Sequence, residues 1–428
     1  MMTGSLSRAG GGSRSHVVAN SDETGAGEAW VAPAPSSTDW RRPAFAMFAA
    51  GYGANQFVPL LAVYRHELGL SDAGATAVFG VYALGLIPGF LIGGPASDRY
   101  GRRPIMLGFA VLSLVATAVL ITGGWSEAGL YAGRLLTGVV SGTVFTVGTA
   151  WVKELSRASP GATARRAALA LTAGFGIGPL VAGPLAEWGP LPTVLPYLVH
   201  LGLATLALVL LPRTPETRHP TAGPRGRFPV LVPPSARSGR FRAVVLPLAP
   251  WVFGSVTLDF TTLPAHGVLP LRAVGVAFPG FLAAAGLGAG LAGQSWGGWL
   301  HAAARVRRDA RAAAVGLAVI VAGLFAAAAA TAWPGVAWVT AAAVVLGVGY
   351  GVCLVTGIRE VEMLATPDDL GRLVALFYCL AYSGLAIPFL LALVAPHTGY
   401  PPALLLTATV GALTLVLVVR RGRRDAVG

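Results

Sequence analysis

The chain has 428 residues, of which 54% are hydrophobic and 11% charged, with a mean hydropathy of +0.67 and a net charge of +13. This balance excludes a soluble globular domain, and the basic charge does not make a nucleic-acid surface because no polar segment carries a basic stripe interleaved with aromatics. What remains is an all-α integral membrane protein, since about 20 apolar residues cross ~30 Å of hydrocarbon as a helix.

Residues 1–40 are rich in Gly, Ser, Ala and Pro and have no apolar run behind their early arginines, so they read as a disordered tail and not as a signal peptide. Twelve apolar stretches follow, near 43–64, 73–97, 104–122, 129–152, 167–186, 192–211, 243–264, 274–300, 312–331, 336–358, 373–394 and 401–419. A polar segment dense in Pro and Arg divides them into six-helix halves at 41–212 and 243–420, joined by a central loop at 213–242 and followed by a tail at 421–428. If the N-terminus is cytoplasmic, 28 of the 31 Lys and Arg fall on that side; Arg65 and Arg272 lie in outer loops and Arg134 within the membrane. This positive-inside asymmetry places both termini in the cytoplasm and the protein in the cell membrane.

In the first stretch, Tyr52 precedes the polar pair Asn55-Gln56 near mid-membrane. Unpaired amides are unfavourable in lipid and a wet cavity wall satisfies them, so these residues are candidates for substrate contact. The second stretch carries Gly85, Gly89, Gly93 and Ser97 at four-residue spacing, a stripe that lets helix backbones approach closely. It runs into Gly94-Pro95-Ala96-Ser97-Asp98-Arg99-Tyr100-Gly101-Arg102-Arg103, where Asp98 can pair with the basic cluster or a helix N-terminus and Gly101 supplies the turn.

Arg134 in the fourth stretch and Asp259 in the seventh are the formally charged side chains inside the apolar runs, and a charge at membrane depth marks a functional site. Arg134 could equally serve as a structural hydrogen-bond donor to helix one, and Asp259 lies near enough to the outer end of its helix to reach water or cap a local turn. Helix five contains Gly174-Phe175-Gly176-Ile177-Gly178-Pro179 and then Gly183-Pro184. No strand precedes this run, which rules out a dinucleotide loop. His200 in helix six reads as a packed neutral histidine.

The eighth stretch repeats the stripe of the second as Gly286, Gly290, Gln294 and Gly298, with one polar interruption. Pro179 and Pro388 correspond in helices five and eleven, as do Pro59 and Pro264 near the ends of helices one and seven; paired interrupted helices suit gates around a midplane site. Between helices eight and nine, Arg307 and Arg308 remain without an acid, so an inner latch is expected mainly from the first half. Trp251, Phe253, Tyr350, Tyr378 and Tyr382, with Gln294, are further candidates for an aromatic pocket with a few polar groups. Trp125, Trp188 and Trp333 are expected in the interfacial belt, and Cys353 and Cys379 in the core.

The Gly94–Arg103 segment resembles the G-x-x-x-D-R-x-G-R-R signature of the major facilitator superfamily, and Arg134-x-x-x-Gly138-x-x-x-Gly142 resembles its helix-four arginine motif. The helix-five run is similar to the glycine-proline motif of antiporting exporters, with one residue of difference in the later spacing. Pro215-Glu216-Thr217-Arg218 has a weaker similarity to the sugar-porter branch. The resemblance implies two pseudo-symmetric six-helix bundles with helices one, four, seven and ten around a central cavity, a monomer, and gating by Gly94, Asp98, Arg99, Gly101, Arg102, Arg103, Gly174, Gly178 and Pro179. Arg134 and Asp259 are then expected to face each other at similar depth, as a proton-coupling pair in a drug or metabolite exporter. Helix one lacks a membrane-embedded acid, which favours neutral or weakly anionic apolar substrates over cations. A metabolite importer and a non-transporting receptor are the alternatives. No Walker loop, helical metal pair or serine-histidine dyad is present, so ATP-driven transport, a cofactor, a metal and enzyme activity are not expected.

Overall fold

The computed structural model describes residues 36–156, 160–218, 232–268, 274–305, 310–366 and 369–424. Residues 1–35 of the expected tail at 1–40, most of the central loop, Arg272, Arg307 and Arg308 lie outside the described residues, whereas 36–40 form an ordered turn leading into the first helix. Among the described residues there are twelve long helices: α1 (Arg41–Glu67), α2 (Asp72–Tyr100), α3 (Arg102–Thr122), α4 (Glu127–Leu155), α5 (Pro160–Trp188) and α6 (Leu195–Arg213) in the first half. The second half has α7 (Phe241–His266), α8 (Ala277–Arg305), α9 (Arg311–Ala332), α10 (Val336–Leu364), α11 (Leu370–Thr398) and α12 (Tyr400–Arg424). Eleven stretches are long and apolar enough to cross a membrane; the helix outside that set is α8, whose glycines and Gln294 dilute its hydropathy over 29 residues. At ~1.5 Å per residue, a 29-residue helix is ~43 Å long and projects beyond ~30 Å of hydrocarbon.

Local chemistry sets the ends and breaks. Ser71 and Ser126 cap α2 and α4, each accepting from the backbone N–H three residues on. The α2–α3 and α11–α12 junctions are single glycines with positive φ, Gly101 at 95° and Gly399 at 83°. Helix α1 breaks at Gln56, α7 at Thr261 and α11 over Ser383–Leu385, and each break lies shortly before Pro59, Pro264 or Pro388. Proline has no N–H for the carbonyl four residues earlier, which frees Asn55, Phe260 and Gly384 from the helical ladder. The breaks in α1 and α7 thus occur at matching places in the two halves.

Packing follows the small-residue stripes. The most extensive helix pairs are α2 with α4 and, correspondingly, α8 with α10. A methyl group placed on Gly85 would sit 2.1 Å from the Leu135 carbonyl oxygen, and one on Gly138 2.1 Å from that of Tyr82. Methyl groups placed on Gly347 and Gly351 would likewise sit 2.1 and 2.0 Å from the Gly286 and Gly290 carbonyl oxygens. In lipid, where apolar surface alone does not drive association, such close contact is what holds helices together. The halves meet along α5 with α8 and α2 with α11. Trp125, Trp188 and Trp333 are strongly exposed near helix ends, as an interfacial belt requires.

Candidate functional site

Between the halves lies a small cavity of about 40 Å³. The first half lines it with Asn55, Phe79, Tyr82, Arg134 and Phe175, and the second with Phe253, Val256, Thr257, Phe260, Leu287, Tyr350, Tyr382 and Leu385. Its walls are therefore mainly aromatic, and Arg134 is the charged group among them. Phe253 stacks on Tyr382 with centroids 4.0 Å apart, while Phe79–Phe260 and Tyr82–Tyr382 form edge contacts across the halves.

Arg134 is 1% exposed and tied to its own half. Its Nη1 donates to the Ala54 carbonyl at 2.9 Å and its Nη2 to the Phe79 carbonyl at 3.2 Å, while Nε is buried without a partner. The guanidinium carbon lies 4.6 Å from the ring centres of Phe57 and Tyr82 and 5.3 Å from that of Phe79. This aromatic cage stabilises a desolvated cation. Of the two roles open to Arg134, this conformation displays the donor to helix one.

Asp259 is fully buried, and neither carboxyl oxygen has a hydrogen-bond partner. Oδ2 occupies the space beside Gly286, 2.3 Å from where a Cβ would lie. The expected pairing with Arg134 is therefore not formed here. Phe253, Val256, Thr257 and Phe260 share the cavity face of α7, and one residue of rotation turns Asp259 from that face onto α8. Its burial also corrects the alternative in which it reaches water.

Of the candidates for substrate contact, Asn55, Phe253, Tyr350 and Tyr382 line the cavity. The other substrate-contact candidates are placed elsewhere. Tyr52 is buried and stacks on His200, whose Nδ1 lies 2.7 Å from the Thr117 hydroxyl. Gln56 is fully buried with both amide atoms unpartnered, at the break in α1. Trp251 packs toward Gly411 of α12, Tyr378 stacks on Phe90, and the half-buried Gln294 lies where α8 meets Gly351. Asn55 donates to the Phe175 carbonyl at 3.2 Å.

Where α2 turns into α3, Arg102 is buried and its guanidinium bonds Glu154 at 2.9 Å, Asp98 at 3.0 Å and the Ser97 hydroxyl at 2.5 Å. Arg218 lies 3.6 Å from Asp98, Arg103 donates to the Pro212 carbonyl, and Arg99 covers the Tyr100 ring. Gly94 meets only the Thr146 methyl, at 3.5 Å from its would-be Cβ, so the tight contact with α4 belongs to Gly85, Gly89 and Gly93. Gly174 and Gly178 admit the α1 backbone at Phe48 and Tyr52, and the Pro179 carbonyl faces Gly280 of the other half. Nothing in the sequence singles out Glu154, and Glu216 stands out there only as part of the Pro-Glu-Thr-Arg run after helix six. A matching ion pair in the second half joins Arg240 to Glu360 at 2.7 Å.

Two six-helix bundles around an aromatic cavity, with helix breaks at matching places in α1 and α7, are the architecture of alternating-access transporter folds. The chain belongs to the Major Facilitator Superfamily, whose family model matches residues 44–387. It is 34% identical over 151 residues to the uncharacterized MFS-type transporter EfpA of Mycobacterium tuberculosis, a match covering 34% of this chain and 28% of that protein. It is 36% identical over 92 residues to the 3-(3-hydroxy-phenyl)propionate transporter of Escherichia coli, covering 21% of each. The chain thus spans under a third of the length of these relatives. Among solved structures, a peptide transporter of the POT family superposes with a TM-score of 0.75 at 15% identity, covering 90% of this chain and 95% of that one, which shows a shared fold.

Proposed function

We propose that the protein is a secondary transporter that exports a small, apolar organic molecule, neutral or weakly anionic, in exchange for protons. The observation that carries this reading is the cavity itself: aromatic walls from both halves enclose one cation, Arg134, beside Asn55 and Thr257. Such a surface suits an organic ligand with a flat apolar body and a weakly acidic or polar end, and it offers little to a multiply charged one. The name of the Escherichia coli relative, a hydroxyphenylpropionate transporter, is in keeping with that class.

Coupling rests on Asp259 and Arg134. A buried carboxylate without donors is costly, so the charged and neutral forms of Asp259 favour different helix arrangements. When α7 and α8 part, water and Arg134 become available to the charged form; when they close on Gly286, the neutral form is favoured. The basic residues place the Asp98–Arg103 face in the cytoplasm by the positive-inside rule. There, Asp98, Arg102 and Glu154 form the latch of the first half, with Gly94, Arg99, Gly101 and Arg103 shaping its turn, and Gly174, Gly178 and Pro179 provide the sliding surface of α5.

Purified protein in liposomes with an inside-acid gradient, monitored with a pH-sensitive dye, tests the proposal. Substrate-dependent proton release is expected from the wild type and is expected to vanish in Asp259→Asn. Release that survives this substitution removes Asp259 from the coupling path.

A further inference from the structure

The face opposite the Asp98–Arg103 turn carries a polar cluster that the cavity does not use. Asp72, the first residue of α2, accepts from Arg65 near the end of α1 through Oδ1. Its Oδ2 accepts the Tyr400 hydroxyl of α12 at 2.7 Å and lies 3.2 Å from Nε2 of His266 at the end of α7. The His266 and Tyr400 rings stack, with centroids 3.7 Å apart and planes 19° apart. Arg65 and Asp72 belong to the first half, and His266 and Tyr400 to the second, so one carboxylate ties the two halves together. On the same face Glu187 of α5 accepts the Val276 and Ala277 backbone N–H groups at 2.5 and 3.0 Å, capping the start of α8 across the seam.

The ion pairs at the other face, Arg102 with Glu154 and Arg240 with Glu360, each stay within one half. The cluster on Asp72 is open to the aqueous phase, because the Arg65, Asp72 and His266 side chains are 26%, 29% and 22% exposed.

We propose that Asp72, His266 and Tyr400 form a proton-operated clasp: neutral His266 holds the seam closed, and a proton taken up by His266 from the aqueous phase on that face loosens it. Neutral His266 can donate one hydrogen bond to Asp72 while its ring packs flat on Tyr400. Protonated, it is a largely desolvated cation beside the Arg65 guanidinium, which already pairs with the same carboxylate, so burial and this repulsion favour a parted seam in which the imidazolium reaches water. The other titratable groups on this face are His66 and Glu67 after Arg65, Glu127 at the start of α4, whose carboxylate lies 3.9 Å from where a Gly74 Cβ would be, and His397 near the end of α11. His66 and His397 are exposed and serve as internal controls. The clasp needs no cargo and stands apart from proton coupling at Asp259.

The test uses the full chain in lipid nanodiscs, with Cys353 and Cys379 replaced by Ala and spin labels on Ala128→Cys and Trp333→Cys, one exposed site on this face in each half. The short-distance population is expected to rise severalfold between pH 5 and pH 8. His266→Gln is expected to abolish that pH response, whereas His66→Gln and His397→Gln retain it. Asp72→Asn and Tyr400→Phe are expected to lower the short-distance population at both pH values; Tyr400→Phe removes a single hydroxyl and carries the test should Asp72→Asn not fold. A pH response that persists in His266→Gln, or one lost in either control histidine variant, overturns the proposal. So does an unchanged distance distribution in Tyr400→Phe.

Discussion

Glu216 and Arg102, 114 residues apart in the chain, are joined where the Glu216 carboxylate accepts the Arg102 backbone N–H at 2.9 Å. Its second oxygen accepts the Arg103 N–H, also at 2.9 Å. Helix α3 starts directly after Gly101 and has no side-chain cap from its own sequence, so this carboxylate after α6 satisfies its first free donors. Gly101 is required twice over, for its positive φ and because a Cβ there would meet Glu216 Oε2 at 2.8 Å. Glu216→Ala is therefore expected to cost about 0.5–2 kcal/mol. Glu216→Gln should cost less, since it keeps an acceptor and loses the charge that favours a helix N-terminus. Thermal unfolding in detergent checks the order, and equal losses for both variants would count against a capping role.

Close glycine contacts separate substitutions by position. Gly138→Ala pushes a methyl into the Tyr82 carbonyl and is expected to part α2 from α4, with a steep loss of folded yield. Gly202→Ala in α6 meets nothing within 4 Å and is expected to be neutral or to stabilise by up to about 1 kcal/mol through helix propensity. Yield and melting temperature of the two proteins, measured side by side, make the comparison.

Two aromatic residues on α7 should behave differently. Phe253 faces the cavity, so Phe253→Ala is expected to weaken ligand binding about tenfold, equivalent to ~1.4 kcal/mol, with the fold retained. Trp251 packs away toward Gly411, so Trp251→Ala is expected to cost ~3–5 kcal/mol of stability and to leave affinity in the folded fraction unchanged. Calorimetric binding of an aromatic carboxylic acid, paired with melting curves, distinguishes the two effects.

Arg134→Lys is expected to fail despite keeping a charge. A single ammonium lacks the planar fork that reaches the Ala54 and Phe79 carbonyls while lying against three rings. Loss of transport with a lowered melting temperature is the expected outcome, and wild-type values in both assays would contradict it.

Asp369 supplies a pH dependence. Its carboxylate accepts from the Ser235 hydroxyl at 2.7 Å and the Thr366 N–H at 2.8 Å, and these bonds hold it below the usual carboxylate range. A depressed folded-state value means that its contribution is present above the unfolded value of about 3.9 and is lost as pH falls through the folded one. Melting temperature followed from pH 6 to pH 3 should therefore fall less in Asp369→Asn, which starts lower, than in the wild type.

The helices were legible because a segment in lipid has to satisfy its own backbone hydrogen bonds, so hydropathy and helix length report the same thing. The stripes on α2 and α8 were legible for a related reason: close backbone contact demands small residues at fixed spacing. The direction in which each helix faces was not. In a helix apolar on every side, periodicity does not say that Phe253 meets the cavity and Trp251 the outer packing, or that Asp259 turns onto Gly286. Tyr52, Gln56, Trp251, Gln294 and Tyr378 were singled out by type and depth, and rotation placed them outside the cavity lining. The Asp72 cluster was hidden by distance, because Tyr400 is 328 residues from the carboxylate it bonds.

Gly399 is the single residue between α11 and α12, and Tyr400 follows it directly. Helix α11 also packs against α2 of the first half. A rigid elbow between these two helices makes them one lever: any tilt of α11 away from α2 pulls on the hydroxyl that grips Asp72. Lengthening this elbow by a few flexible residues would uncouple the arm from the grip without altering either surface.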